Sequence, residues 1–440
     1  MLSALGIATG TLIIFMMMLS LLFVGMPLGF MTGFIALSMS YFWFGNIAMM
    51  QMVANRVSDF TTSYTFIAVP MFVLMATLLD KTGIARDLYN AMRVMAGRIR
   101  GGVAVQSMVV AVILASMSGI IGGETVLLGM LALPQMLRLG YNQKLAIGVV
   151  VGGGALGTMV PPSIVLIIYG MTSNVSIGDL FLAAVPAAAI LSSMYILYIL
   201  IICRIYPDYG PAMDKSEMEE MTREDMKKMF LDILMPILIA VWILGSIYAG
   251  IASVTEAACV GVVGVGLAAA IRGELNVKVI FDALKHTIST VGMIIWVGIG
   301  ATMIIGVYNL MGGDIFINDL FMGLDMPPIF TILIMMFILL ILGMFLDWIG
   351  VAMLTMPIFV PIITNLGYDP IWFGVLFCVN MQVSFLSPPF GPAAFYLKSV
   401  APEGIELTDI FKSVWPFIIM QVITLAILIT FPEVVEFIYK

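Results

Sequence analysis

The sequence predicts an all-α polytopic membrane protein made of two inverted repeats, each with a re-entrant hairpin and a broken helix. Three observations predict it. Of the 440 residues, 62% are hydrophobic and only 10% charged. A soluble domain carries about 25% charged residues, so most of this surface must face lipid. Apolar runs near the ~20 residues that cross a bilayer recur along the chain, among them 12–24, 233–250, 329–346 and 417–431. Finally, Gly and Pro positions of one half return in the other. Pro134, Gly140, Tyr141, Pro161 and Pro162 are matched by Pro361, Gly367, Tyr368, Pro388 and Pro389, each 227 residues further on, and Gly123 by Gly350 at the same spacing. Asp179, Phe181 and Pro186 are matched by Asp409, Phe411 and Pro416, 230 residues on.

Residues 1–80 supply scaffold helices, with spans at 5–24, 27–44 and 62–80. No Lys or Arg precedes Arg56, so the first run lacks the basic start of a cleavable signal and is expected to remain as a helix. The first repeat, 81–206, holds an amphipathic arm at 84–100, a hairpin at 102–137, a broken helix at 145–172 and a span at 180–203. The one strongly polar stretch, 207–230, is a solvated linker between the halves. Residues 231–311 return to scaffold, with spans at 231–250, 254–271 and 280–311. Ser253-Val254-Thr255-Glu256 reads as a capping box that opens a helix. His286, the sole histidine, follows Lys285 near a helix start and reads as structural. The second repeat, 312–440, repeats the order: an arm at 314–325, a hairpin at 328–364, a broken helix at 370–398 and a span at 412–431. Folded in half, each hairpin run gives arms of about 17 residues, or roughly 25 Å. That falls short of the ~30 Å hydrocarbon core, so each hairpin is expected to enter and leave on one side. Such backbone is tolerated in a membrane only when protein or a cavity surrounds it.

The charges give an orientation. With the N-terminus outside, 17 of the 19 Lys and Arg residues fall on the cytoplasmic side, and only Arg56 and Lys440 fall outside, as the positive-inside rule requires. Arg100 and Arg138 flank the first hairpin, which therefore opens inward. Asp314, Asp319, Asp325 and Asp369 flank the second, which opens outward. Opposite mouths on matched units make the repeats inverted, the architecture of secondary transporters.

The chemistry belongs at the breaks and tips. Proline removes an amide donor and clashes with the preceding turn, so Pro161-Pro162 and Pro388-Pro389 free carbonyls at mid-membrane. Freed carbonyls and half-helix ends are ready ligands for a cation. The tips, 116–125 (SMSGIIGGET) and 343–350 (GMFLDWIG), carry glycines that let backbone turn and approach a ligand. Gly122, Gly123, Glu124, Pro162, Ser163 and Pro389 are candidates for a solute cavity. A carboxylate at the bilayer centre costs about 3 kcal/mol on insertion scales, so Glu124 and Asp347 are expected to serve ion binding or gating. Cys203, Cys259 and Cys378 are far apart and have no metal or disulfide spacing. There is no Gly-Lys dipeptide for a P-loop, no HExxH and no GxSxG. The sequence predicts no enzyme and no cofactor, and no basic stripe for nucleic acid.

GRIRGGVA, SMSG, LPQMLRLGY, GALGTMVPPSIVLIIYG, GIASVTEAA, LDWIGVAMLTMPIFVP and LSPPFGPAAF together resemble the large (M) subunit of tripartite ATP-independent periplasmic (TRAP) transporters over nearly the whole chain. The resemblance implies an elevator-type secondary transporter of the bacterial inner membrane with sodium as coupling ion. It also implies two partners, a small four-helix membrane (Q) subunit and a periplasmic substrate-binding (P) protein, and an organic acid as the default solute. Carried over by motif, one sodium site would join Ser116, Ser118 and Gly119 to Gly157, Thr158 and Pro161. The other would join Gly343, Asp347 and Gly350 to Ser384, Ser387 and Pro388. Two departures stand out. The first tip continues Ile120-Ile121-Gly122-Gly123, where many relatives have further small hydroxyl residues, and the 253–256 motif lacks a proline common before Thr-Glu. A stand-alone sodium/organic-anion symporter of similar build is the alternative reading.

Overall fold

The computed structural model describes residues 6–44, 48–96, 99–119, 122–212, 223–323 and 326–440. Arg98, Ile120, Ile121, Asp325 and the centre of the polar linker, 213–222, lie outside the described residues. Among those described, regular structure is helical throughout, with no strand. Among the described residues, eight helices are long and apolar enough, by length and composition, to cross a membrane.

The first helices are α1 (Gly6–Phe23), α2 (Leu28–Phe44), α3 (Ala48–Thr61), α4 (Ala68–Lys81) and α5 (Ile84–Ala96). Helix α3 lies where the sequence reading assigns no element, because polar residues interrupt its apolar face. Its Phe60 seats on Gly298 of a later helix. The arm α5 buries Ile84, Ala85, Leu88 and Tyr89 in protein.

Next come the hairpin α6 (Gly102–Ser118) and α7 (Gly123–Arg138), then α8 (Gln143–Ala155), a break, α9 (Ile164–Ser173) and the long α10 (Ile177–Ile205). Helices α11 (Arg223–Tyr248), α12 (Val254–Ile271) and α13 (Val277–Leu310) follow, then the short α14 (Gly313–Met322). The same order then recurs. Hairpin α15 (Pro328–Phe345) and α16 (Trp348–Asn365) leads to α17 (Pro370–Leu386), a break, α18 (Pro392–Lys398) and α19 (Leu407–Thr430), with α20 (Glu433–Glu436) at the end. The arms of the second hairpin have 18 residues each, about 27 Å at 1.5 Å per residue. That length and composition would also suit a span, yet only Leu346 and Asp347 connect the two arms.

Helix starts follow local chemistry. The capping box expected at 253–256 is present: Ser253 N–H donates to the Glu256 carboxylate at 2.7 Å, and Glu256 N–H to Ser253 Oγ at 3.3 Å. Asn142 opens α8 by accepting from Lys144 N–H at 3.0 Å. Asp369 opens α17, whose first residue is Pro370, by accepting from Ile371 N–H at 2.8 Å. Proline suits that first helical position because its missing donor would be unpaired anyway.

Two bodies of packing result. In one, α2 lies so close to α13 that a Cβ on Gly29 would sit 2.5 Å from the Trp296 carbonyl oxygen, and one on Gly300 2.4 Å from that of Gly29. Small residues permit such approach between membrane helices, where van der Waals contact replaces the hydrophobic effect. In the other, the two broken helices interlock. Gly374 of α17 receives the ring of Tyr169 from α9, whose hydroxyl donates to the Pro370 carbonyl at 2.5 Å. Gly148 and Gly152 of α8 receive Phe417 of α19. Trp372 Nε1 donates to the Leu428 carbonyl at 2.9 Å, and Asn380 Nδ2 to that of Met336 at 2.9 Å. These buried donors are thus satisfied across elements, as a low-dielectric interior favours.

Candidate functional site

The first break is built from sequence up. Helix α8 tightens into a 3₁₀ turn at Leu156–Thr158 before α9 resumes at Ile164. Pro161 and Pro162 have no N–H for the carbonyls of Gly157 and Thr158 four residues back. The Thr158 carbonyl is taken instead by the Ser163 hydroxyl at 2.5 Å, and the Thr158 hydroxyl donates to Ala155 at 3.0 Å. The peptides Pro161-Pro162 and Pro388-Pro389 are both cis.

The first tip closes onto this break. Gly119 ends α6 in the left-handed region at φ +56°, and a Cβ there would stand 2.6 Å from the Pro162 carbonyl oxygen. Its own carbonyl accepts the Ile164 N–H at 3.3 Å. Ser116 turns its hydroxyl back to Ile113 at 2.7 Å. Ser118 donates to the carboxylate of Glu124, which is 3% exposed and lies against Gly157, where a Cβ would be 2.8 Å from Oε1. The tip also touches the other repeat: Gly122 sits against the ring of Tyr396 in α18, at 3.0 Å from an added Cβ.

The second unit is assembled differently. Gly343 of α15 packs against Ser384 of α17, whose Oγ would be 2.4 Å from a Cβ. The hydroxyls of Ser384 and Ser387 donate backwards to Met381 at 2.9 Å and Val383 at 2.6 Å, leaving their oxygen lone pairs available. Phe345, at the tip, meets Phe390, beyond Pro388, with ring centroids 5.4 Å apart. Asp347 precedes the first turn of α16 and is exposed. Gly350 does not join Ser384 and Ser387. It lies against Leu28 of α2, where an added Cβ would come within 2.0 Å, with Val297 of α13 the next side chain. The sequence register equates Gly350 with Gly123, but the rotation of α16 directs it at the α2–α13 pair.

The two tips share one cavity of about 550 Å³. One wall carries Ser118, Gly122, Gly123 and Glu124 from the first tip, Asp347, Trp348 and Ile349 from the second, and Ile164 and Tyr396 from beyond the breaks. The facing wall carries Thr77, Asp80 and Lys81 at the end of α4, and His286, Thr290 and Ile294 in α13. Pro162 and Ser163 lie behind the first tip, outside this lining, and Pro389 also lies outside it. His286 lines the cavity, with its Nδ1 3.4 Å from the Thr77 hydroxyl. Tyr396 and the α4 residues carry no motif that would have exposed them in sequence. A second cavity, about 700 Å³, sits at the opposite ends of α4 and α13, beside Tyr64, Thr65 and Asn309, with Arg56 in its lining. Both cavities lie between a hairpin unit and α13.

Three comparisons bear on this arrangement. The family described as tripartite ATP-independent periplasmic transporter, DctM component, matches residues 15–434. The chain is 28% identical over 418 residues to the sialic acid TRAP transporter large permease protein SiaM of Vibrio cholerae, covering 94% of this chain and 95% of that one. It is 29% identical over 387 residues to the C4-dicarboxylate TRAP transporter large permease protein DctM of Pseudomonas aeruginosa, covering 87% and 88%. It is 28% identical over 427 residues to the ectoine TRAP transporter large permease protein TeaC of Halomonas elongata, covering 96% of each. Among solved structures, the YdaH transporter of Alcanivorax borkumensis matches with a TM-score of 0.65 over 89% of both chains at 11% identity. That identity speaks for the fold alone.

Proposed function

Because the chain belongs to the DctM-component family of tripartite ATP-independent periplasmic transporters, we propose that it is the permease of a sodium-coupled system taking up an organic acid. In this reading a periplasmic protein captures the solute, and a small four-helix membrane protein completes the complex. The observation that carries the reading is the meeting of both hairpin tips in one cavity against α4 and α13. A solute released there leaves by the α4–α13 end marked by Lys81 and Lys285, the cytoplasmic end in the N-out orientation. The hairpin-and-break units are the moving body of an elevator in the bacterial inner membrane, and α2 with α13 is its fixed rail.

Two sodium ions are assigned to the two units. The first lies among Ser116, Ser118, Gly119, Gly157, Thr158 and Pro161. The second lies among Gly343, Asp347, Ser384, Ser387 and Pro388, with Gly350 seating the hairpin on α2 rather than holding the ion. The relatives that transport sialic acid and C4-dicarboxylates support an acid as solute.

The test is reconstitution into liposomes with a panel of labelled organic acids. The permease with both partners should accumulate a solute only under an inward sodium gradient, whereas the permease alone should move none. Robust uptake by the lone permease would instead identify a stand-alone symporter, and gradient-independent uptake by the complex would overturn sodium coupling. Orientation is checked separately. Single cysteines at Asp208 and Asp319, both exposed, should react with a membrane-impermeant maleimide from opposite sides. Labelling of both from one side refutes the N-out arrangement.

A further inference from the structure

Glu124 is the most deeply placed carboxylate of the first unit, at 3% exposure. One of its oxygens is occupied by the Ser118 hydroxyl. The other, Oε2, has no hydrogen-bond partner among the described residues, and neither does the hydroxyl of the adjacent Thr125, which is 0% exposed. Two unsatisfied oxygens side by side in a low-dielectric interior call for an explanation.

Their surroundings supply one. Thr125 lies against Gly154 in the last turn of α8, and Glu124 against Gly157 in the 3₁₀ turn that follows, two glycines about one turn apart. A Cβ on Gly154 would stand 2.1 Å from Thr125 Oγ1, and one on Gly157 2.8 Å from Glu124 Oε1 and 3.0 Å from the unpartnered Oε2. The absence of side chains brings the backbone of the break up to the carboxylate. Gly157 is also the residue whose carbonyl loses its helical donor to Pro161. A carboxylate, a hydroxyl and an orphaned carbonyl therefore share one small volume, rich in oxygen acceptors and poor in donors. Oxygen sets of this kind suit a hard cation. The start of α7, where Glu124 stands in the first turn, favours the carboxylate, but only with a partial charge of about half a unit.

We propose that Glu124, with Thr125, is a direct ligand of the first coupling cation and gives that site a formal negative charge. This rests on the sodium reading above and adds to it two residues that the family-based ligand set omits. The charge has a coupling consequence. With the cation bound, the first tip is neutral and can change its depth in the membrane. Without it, a buried carboxylate would have to move through hydrocarbon unpaired, which the bilayer disfavours. Glu124 thus opposes movement of an empty unit.

The test uses the complete three-component transporter in proteoliposomes, reading the sodium concentration for half-maximal uptake separately from the solute KM at saturating sodium. Glu124→Gln keeps size and removes charge. It should raise the sodium requirement by at least about tenfold, equivalent to about 1.4 kcal/mol, a larger change than any in the solute KM at saturating sodium, and it should permit solute efflux without sodium. Thr125→Val, which removes only a hydroxyl oxygen, should raise the requirement a few-fold and serves if Glu124→Gln assembles poorly. A wild-type sodium requirement in both variants overturns the proposal while leaving sodium coupling standing. So does a raised solute KM at an unchanged sodium requirement, which would make Glu124 a solute contact. Indifference of the wild-type complex to sodium overturns coupling itself, and the proposal with it.

Discussion

Replacing Pro388 and Pro389 together by Ala is expected to abolish sodium-driven uptake while the permease still inserts and assembles. The break between α17 and α18 exists because two successive residues cannot donate to the carbonyls of Ser384 and Phe385. Alanine restores both donors, and removing a proline from a helix interior relieves a penalty of about 3 kcal/mol. A preference of that size shifts the ratio of continuous to broken helix by more than about a hundredfold. The continuous helix would carry the 387–391 backbone away from the tip of the second hairpin and separate Phe390 from Phe345, whose rings now meet. Uptake in proteoliposomes, with membrane abundance as control, decides the matter. Wild-type uptake by an abundant variant would make the prolines ordinary kinks.

The second large effect is expected at Gly119. Alanine there meets two separate costs. The left-handed conformation at φ +56° costs an L-residue about 1–2 kcal/mol. The new Cβ would also fall 2.6 Å from the Pro162 carbonyl oxygen, a main-chain atom and not the end of a flexible side chain. The tip must then lift from the break, breaking the bond between the Gly119 carbonyl and the Ile164 N–H. Uptake should fall at least about tenfold, the equivalent of about 1.4 kcal/mol. Gly367→Ala is the control. It has φ +84° but no atom within 4 Å of an added Cβ, so it carries the backbone cost alone and should lower thermal stability slightly with uptake retained. Equal losses of uptake in the two variants would mean that backbone strain, not the tip-to-break contact, governs the effect.

The contrast between these glycines marks the limit of what the sequence discloses. The breaks were legible because proline acts through its own missing donor, whatever surrounds it. The turn at Gly119 was legible for a similar local reason. What Gly350 touches was not, because it depends on the rotation of α16 about its axis, which repeat spacing does not encode. Glu124 stood out as a charge in an apolar run, but its neighbours Gly154 and Gly157 are some 30 residues away, and nothing in their spacing names the carboxylate. His286, the tenth residue of α13, comes alongside Thr77 through the packing of α13 on α4, which its neighbours in sequence do not encode. Helix α3 escaped notice because tertiary contact, through Phe60 on Gly298, stabilises a segment whose own apolar pattern is weak.

The length of α13 has a consequence for shape. Its 34 residues make a rod of about 51 Å, against a hydrocarbon thickness of ~30 Å. The first ten residues include Lys278, Asp282, Lys285 and His286 and extend toward water. The other 24 still measure about 36 Å, longer than that layer is thick, an excess that a helix takes up by tilting, by kinking or by thickening the bilayer around it. Where tilt takes it up, the wall that α13 presents to the hairpin tips is a ramp, not a vertical face. Any body that slides along it in the plane of the bilayer also changes height, so sideways travel and vertical displacement of the cargo are geometrically one motion.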